Sequence, residues 1–319
     1  MDGSMGRWLM TKGVPEDRTL WAARALSEAQ YHPLVVEAHM EYIQAGARTI
    51  TTANYAVQPT YYRRAYPDQW EGRVRDDSAA AVRLAVEARA RCGAEGSVRI
   101  LGCLPPVCET HRPDLLEQLL DDEGEERYVQ FYRTVAQILL EGGADALLGE
   151  TLNGQREASL VTAAIRSLER PSLPLMLSFE GTFRGTDLLP KPDQAPAVAR
   201  WVLAEKAAGL RVEVFGLNCG SPEEILASLH ALQESGWTQR LREGGVQIAT
   251  YANLTDRAAV YKAGFDVRTV RPVRMREEVL GAGFVAWCHR FACVGATYCG
   301  GCCGSTPEEI RLLSASLAG

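Results

Sequence analysis

The chain has 319 residues, 46% of them apolar, and a formal net charge of −6. That balance argues against a nucleic-acid or anionic-membrane partner, and the length accommodates one large α/β barrel or two ordinary domains. The chain opens in polar sequence with nothing resembling a secretory leader, and no apolar run approaches a membrane span. Nine cysteines in that setting favour thiols and metal ligands over disulfides, which predicts a reducing, cytoplasmic location.

Along the chain, short apolar or β-branched runs alternate with longer helical patterns. Strands are predicted over 48–53, 98–103, 145–150, 173–179, 211–218, 246–252 and 295–299. Helices are predicted near 34–46, 78–92, 124–142, 154–168, 193–209, 222–236, 275–291 and 307–317. Strand then helix, repeated, implies parallel strands joined by crossovers. Seven strands and a very short one at the start make a single-domain (β/α)8 TIM barrel over 1–319, with a doubly wound open sheet as competitor. Met1 and Asp2 leave almost no room for that first strand. Two long connections, 59–77 with Tyr61, Tyr62, Tyr66 and Trp70, and 180–192, are predicted to follow strands and cover the barrel rim.

The stretch Gly300-Gly301-Cys302-Cys303-Gly304 follows an apolar run and precedes Ser305-Thr306-Pro307-Glu308-Glu309. That order reads as strand, tight turn and capped helix, with Ser305 or Thr306 as the cap. The glycines permit backbone angles that turn both sulfurs toward one point. The run 211–218 leads into Cys219 on the same rim. Cys219, Cys302 and Cys303 are therefore expected to converge on one soft ion, Zn2+ before others, with an open fourth position as in catalytic zinc sites. Cys299 is the candidate for a closed, structural four-cysteine site.

Other rim positions offer polar groups. Glu150 leaves a buried apolar strand, where a carboxylate needs a partner. It is read as holding a substrate ammonium, or else as an internal ion pair, and Asp2 has the same two readings. Tyr251 and Asn253 offer a phenol and an amide, and Thr52 a hydroxyl. The Asn253 amide oxygen is expected to fill the open metal position before substrate arrives, with Tyr251 or water as rivals. The five histidines show no ligand spacing and are read as structural.

Taken together, Asp2-Gly3, Ala45-Gly46-Ala47 leading to Ile50-Thr51-Thr52, Glu150-Thr151, Gly216-Leu217-Asn218-Cys219 and Gly300–Gly304 resemble the homocysteine S-methyltransferase family over essentially the whole chain. The resemblance implies a zinc-dependent (β/α)8 barrel that moves a methyl group onto the thiol of homocysteine, giving methionine. It implies Cys219, Cys302 and Cys303 as zinc ligands, and Glu150 and Asp2 as partners of the homocysteine amino group. The chain departs from the family pattern at Thr52-Ala53-Asn54-Tyr55, at Gly149 and at Tyr251-Ala252-Asn253-Leu254-Thr255, all around the substrate pockets.

A free thiol of pKa near 8.5 is only a few per cent ionised at pH 7, so full ionisation on zinc contributes roughly 30-fold, about 2 kcal/mol. Alignment of sulfur, methyl and leaving group must supply the remainder. The expected donor is a free sulfonium, S-methylmethionine or S-adenosylmethionine, with betaine less favoured. The aromatic connection is a candidate cation–π holder for it. Another thiol or selenol acceptor is the first alternative, and a non-catalytic, redox-responsive zinc barrel the second.

Overall fold

The seven apolar runs form seven strands: β1 (Thr49–Thr51), β2 (Arg99–Leu104), β3 (Ala146–Leu152), β4 (Leu175–Glu180), β5 (Val212–Asn218), β6 (Gln247–Ala252) and β7 (Tyr298–Gly301). The computed structural model describes residues 1–181, 183–184, 190–256 and 274–318. Each strand pairs in parallel with the next, so the sheet order is the chain order. A doubly wound sheet must reverse its order at a switch point. The sequential order excludes that competitor.

Thirteen α-helices lie among the described residues. They are α1 (Met5–Thr11), α2 (Arg24–Ser27), α3 (His32–Gln44), α4 (Pro59–Ala65), α5 (Trp70–Arg91), α6 (Pro113–Glu123), α7 (Glu125–Glu141), α8 (Gln155–Arg166), α9 (Ala195–Ala207), α10 (Pro222–Glu234), α11 (Trp237–Glu243), α12 (Ala282–Cys293) and α13 (Pro307–Ala318). Several begin with proline in the first turn, where the missing N–H costs nothing. Thr306 caps α13: its hydroxyl accepts from Glu308 N (3.2 Å), and Glu309 accepts from Thr306 N (2.9 Å). No helix among the described residues is long and apolar enough to cross a membrane.

Alternation along the strands splits the core in two. Leu101, Ala146, Leu148, Met176, Val214, Ala249 and Tyr251 form one cluster, on one face of the sheet. The larger cluster fills the space between the strands and the helices, with Ile50, Leu147, Leu177 and Phe215 fully buried there. The expected first strand is no strand. Instead Met1–Asp2 bridges the two sheet edges: Asp2 N donates to Thr49 O (2.9 Å), Gly301 N donates to Asp2 O (3.0 Å), and the Met1 amino group donates to Cys299 O (2.7 Å).

The connection 59–77 is not a loop but α4 and the first turns of α5. Its aromatics are packed rather than presented. Tyr61 and Tyr62 are buried, and arginines of the chain itself lie over Trp70 (Arg63, 4.7 Å), Tyr66 (Arg73, 5.0 Å) and Tyr61 (Arg64, 6.0 Å). Part of the expected loop 180–192, residues 182 and 185–189, lies outside the described residues.

Glycines 300 and 301 serve a different purpose from the one expected. Among the glycines of the cysteine turn, Gly304 has the left-handed angle (φ +87°). At Gly300 a Cβ would lie 2.7 Å from Met1 Cβ, and at Gly301 it would lie 2.0 Å from Ser305 Oγ. These two positions need space, because the bridging segment and Ser305 press against β7. Gly301→Ala should therefore lose about 1–3 kcal/mol of stability by overpacking. Gly72→Ala in α5, where nothing lies within 4 Å, should be neutral or gain up to about 1 kcal/mol. Urea unfolding of both variants checks the contrast.

Candidate metal centre

Two turns carry the three cysteines, and both are tied to the end of β6. Cys219 follows β5 with φ +56°, and its N–H donates to Tyr251 O (3.0 Å). Cys302 N donates to Ala252 O (3.0 Å), and Leu254 N donates to Cys303 O (2.8 Å). Ser305 closes the second turn, its N–H (3.1 Å) and hydroxyl (2.8 Å) both donating to Cys302 O. The three sulfurs consequently lie within 4.8 Å of one another. A tetrahedral zinc with bonds of about 2.3 Å would hold them about 3.8 Å apart, so this soft donor set fits such an ion with little movement. Hydrogen bonds shared with Cys219 and with each other push the Cys302 thiol up and hold Cys303 well below the ordinary thiol range.

Cys299 stands apart. Its sulfur contacts Thr250 Oγ1 (3.6 Å) and Cys288 O (3.8 Å), against α12, and is not in the trio. The closed four-cysteine alternative loses its fourth ligand.

Glu150 sits at an irregularity where the β3–β4 register shifts between Gly149 and Leu152. Thr151 beside it has φ +53°. Such bulges re-aim side chains. Glu150 is half-buried, accepts from the Cys103 thiol (3.0 Å), and is pushed up to about 7 by desolvation, with the charge of Asp2 adding to the effect. Asp2 is buried and accepts from Thr51 N (2.7 Å), yet burial still pushes it up to about 6. Two neighbouring carboxyls that are reluctant to ionise form a place where a cation would be welcome. Tyr251 is buried near Ser178, in the cluster that also holds Leu148 and Met176 and against which Cys302 packs.

Two expected roles change. The Asn253 amide oxygen does not face the sulfurs: it accepts from Thr255 N (2.9 Å) and Thr255 Oγ1 (2.6 Å), which leaves the amide nitrogen toward Cys219 Sγ (3.7 Å). The backbone donor sets that orientation, so Asn253 presents a hydrogen-bond donor, not its oxygen, to Cys219. Thr52 accepts from Cys103 N (2.8 Å) and donates to Asn54 Oδ1 (2.6 Å). Its hydroxyl braces the turn after β1.

The structure also brings in residues that the sequence reading set aside. His111, expected to be structural, is buried with its Nε2 3.7 Å from Cys219 Sγ. Glu180 at the end of β4 lies 2.6 Å from His111 Nδ1, and Arg184 lies 3.0 Å from Glu180. The available signal was position: His111 follows β2 on the same rim as the cysteines.

The homocysteine S-methyltransferase family model matches residues 1–317. The chain belongs to this family. It is 27% identical to the homocysteine S-methyltransferase of Escherichia coli K12 over 99% of its own length and 94% of that protein. It is 24% identical to a selenocysteine Se-methyltransferase of Brassica oleracea over 98% of its length and 87% of that protein. The metallated crystal structure of the E. coli homocysteine methyltransferase MmuM superposes with a TM-score of 0.69 at 25% identity, covering 99% of this chain and 95% of that one. Membership makes this chain an enzyme of the homocysteine S-methyltransferase class.

The raised pKa of Glu150 has a stability consequence. The folded state binds this proton more tightly than the unfolded chain, whose carboxyl titrates near 4.5, so ionising Glu150 erodes stability as pH rises from about 4.5 to about 7. Glu150→Gln should therefore stabilise the metal-free protein at pH 8 by on the order of 1–2 kcal/mol, discounted for partial exposure, and by nothing at pH 4. Urea titrations at the two pH values test the sign.

Proposed function

We propose that this enzyme transfers a methyl group from a small sulfonium, S-methylmethionine or S-adenosylmethionine, to the thiol of homocysteine, yielding methionine. The observation that carries the reading is the meeting of Cys219, Cys302 and Cys303 beside the Glu150–Asp2 pair. The family match and the metallated relative support it. Zinc held by the three cysteines would keep the acceptor thiol ionised at neutral pH.

The chain's own groups supply the remainder. Glu150 and Asp2 hold the acceptor's ammonium, which draws both carboxyls into their charged form, so acceptor binding should tighten as pH rises through about 6–7. Fixing the amino group sets the distance from which the acceptor sulfur reaches the cysteines, and that alignment is where most of the rate is gained. The buried Tyr251, Leu148 and Met176 keep this region dry. Dryness favours a reaction in which a sulfonium and a thiolate neutralise each other. In this reading the sheet and the Met1–Asp2 bridge make one closed (β/α)8 barrel domain, working in the cytoplasm.

A second acceptor reading, a selenol or another thiol, draws on the Brassica relative and on Cys103, whose thiol is bonded to Glu150 at the proposed ammonium site. A panel of thiols and selenols assayed with one labelled donor separates the two, and a panel of sulfonium donors and betaine with homocysteine identifies the donor. No transfer to any amino-acid thiol or selenol would sink the proposal.

Cys219→Ala, Cys302→Ala and Cys303→Ala should each lose zinc and activity while retaining the far-UV spectrum of the wild type, because the ligands stand on turns whose backbone is held by hydrogen bonds to β6 and the residues after it. Cys299→Ser should keep its zinc. Metal analysis of the four purified variants decides, and equal zinc in all would remove the site. Glu150→Ala should weaken homocysteine binding by about 2–3 kcal/mol, roughly 30–150-fold, with zinc retained. Calorimetry reads the affinity directly, and wild-type affinity in this variant would reduce Glu150 to an internal partner of Cys103.

A further inference from the structure

A ring of polar contacts encloses Cys219, and neither the three-sulfur site nor the ammonium pocket accounts for it. It starts at the sulfur, 3.7 Å from His111 Nε2. His111 Nδ1 meets Glu180 Oε1 at 2.6 Å, and the same oxygen accepts from Arg184 Nε at 3.0 Å. Arg184 Nη2 reaches Glu224 Oε1 at 3.2 Å, and Glu224 Oε2 accepts from Ser221 N at 2.8 Å. Ser221 is two residues beyond Cys219, so the ring returns to the turn it left. His111, Glu180 and Arg184 are each at most 6% exposed. His111 is also held at φ +67°, in the left-handed region that a side chain ordinarily avoids.

Burying a carboxylate and a guanidinium costs several kcal/mol per ion before their attraction repays it, and apolar packing of the same volume would stabilise the fold as well or better. Such a pair earns retention through what it orients. Here it orients one imidazole edge. Strained backbone at a polar residue beside a site is itself a mark of an over-determined position. Cys302 and Cys303 are placed by their own backbone turn, with Ser305 and β6 holding it. Cys219 is alone on its turn, and its sulfur is met by side chains, His111 on one element and Asn253 on another.

We propose that His111, braced by Glu180 and Arg184, is a positioning residue for Cys219: with Nδ1–H held by the Glu180 carboxylate, the doubly protonated ring donates Nε2–H to the sulfur, which fixes its direction and offsets negative charge on it when the three cysteines hold a metal. The inference rests on the metal reading given above. Outer hydrogen bonds of this kind typically change metal affinity by roughly 10–100-fold when removed.

The test uses the full chain, stripped of metal and reloaded with zinc or cobalt(II), and does not depend on methyl transfer. Zinc affinity is read by chelator competition, and sulfur-to-cobalt charge transfer by absorption. His111→Phe, of similar volume, should weaken zinc by roughly 10-fold or more and move the charge-transfer band to lower energy, as a sulfur that loses a hydrogen bond becomes more electron-rich. His111→Gln, which keeps a donor, should recover most of both. Should His111→Phe fail to fold by circular dichroism, the isosteric Glu180→Gln decides, with a smaller shift in the same direction. Wild-type affinity and spectrum in the folded variants would overturn the role of His111 alone. A wild-type chain that binds neither zinc nor cobalt would overturn the metal site and this role with it.

Discussion

Three thiols from two distant turns face one another because both turns hang from the same strand end. The backbone of β6 and the residues just after it accept from Cys219 and Cys302 and donate to Cys303. Sheet order places β6 between the strands that carry these turns, so parallel pairing in chain order is the geometric condition for the site. The positive backbone angles of Cys219 and Gly304 are what that attachment requires of the chain. The strain is tolerated because backbone hydrogen bonds on several sides over-determine the turns.

Around this anchor the structure keeps charge in places where water is scarce. The first group is the Glu150–Asp2 pair, whose two carboxyls resist ionisation through desolvation. The second is the His111–Glu180–Arg184–Glu224 ring, in which Arg184 lies between two carboxylates and which ends on a helix-capping serine. The two arrangements differ. The carboxyl pair has the Met1 ammonium as its nearby cation, whereas the ring is built of ion pairs. Both lie on the rim where β2 to β7 end, the side on which barrel enzymes carry their chemistry.

The bridging segment Met1–Asp2 links the fold to the chemistry. Its backbone ties β7 to β1, and the side chain of Asp2 belongs to the acidic pair. Its close passage excludes any Cβ at Gly300, directly before the cysteine turn. A change in how the sheet edges meet would therefore be felt at both the cysteine turn and the acidic pair.

What the sequence by itself determined was local and periodic. The alternation of apolar runs and helical patterns predicted seven strands, all of which form, though their ends move by up to three residues. The strand-end position of Cys219 and of the Cys302–Cys303 pair was enough to bring their sulfurs together, because strand ends of a parallel sheet share one rim. A capped start for α13 was readable from Ser305-Thr306-Pro307, since capping involves neighbours in the chain, and the structure chose Thr306 over Ser305. The tertiary structure decided everything that depended on who meets whom across loops. It put His111 beside Cys219, set the Thr52 hydroxyl against Cys103 N, and filled the faces of Trp70 and Tyr66 with Arg63 and Arg73. It also replaced the expected first strand with a two-residue bridge. A hydrogen-bonding group or an aromatic face has no periodicity that announces its partner, and that partner is set only when the packed elements bring distant segments within about 3 to 4 Å.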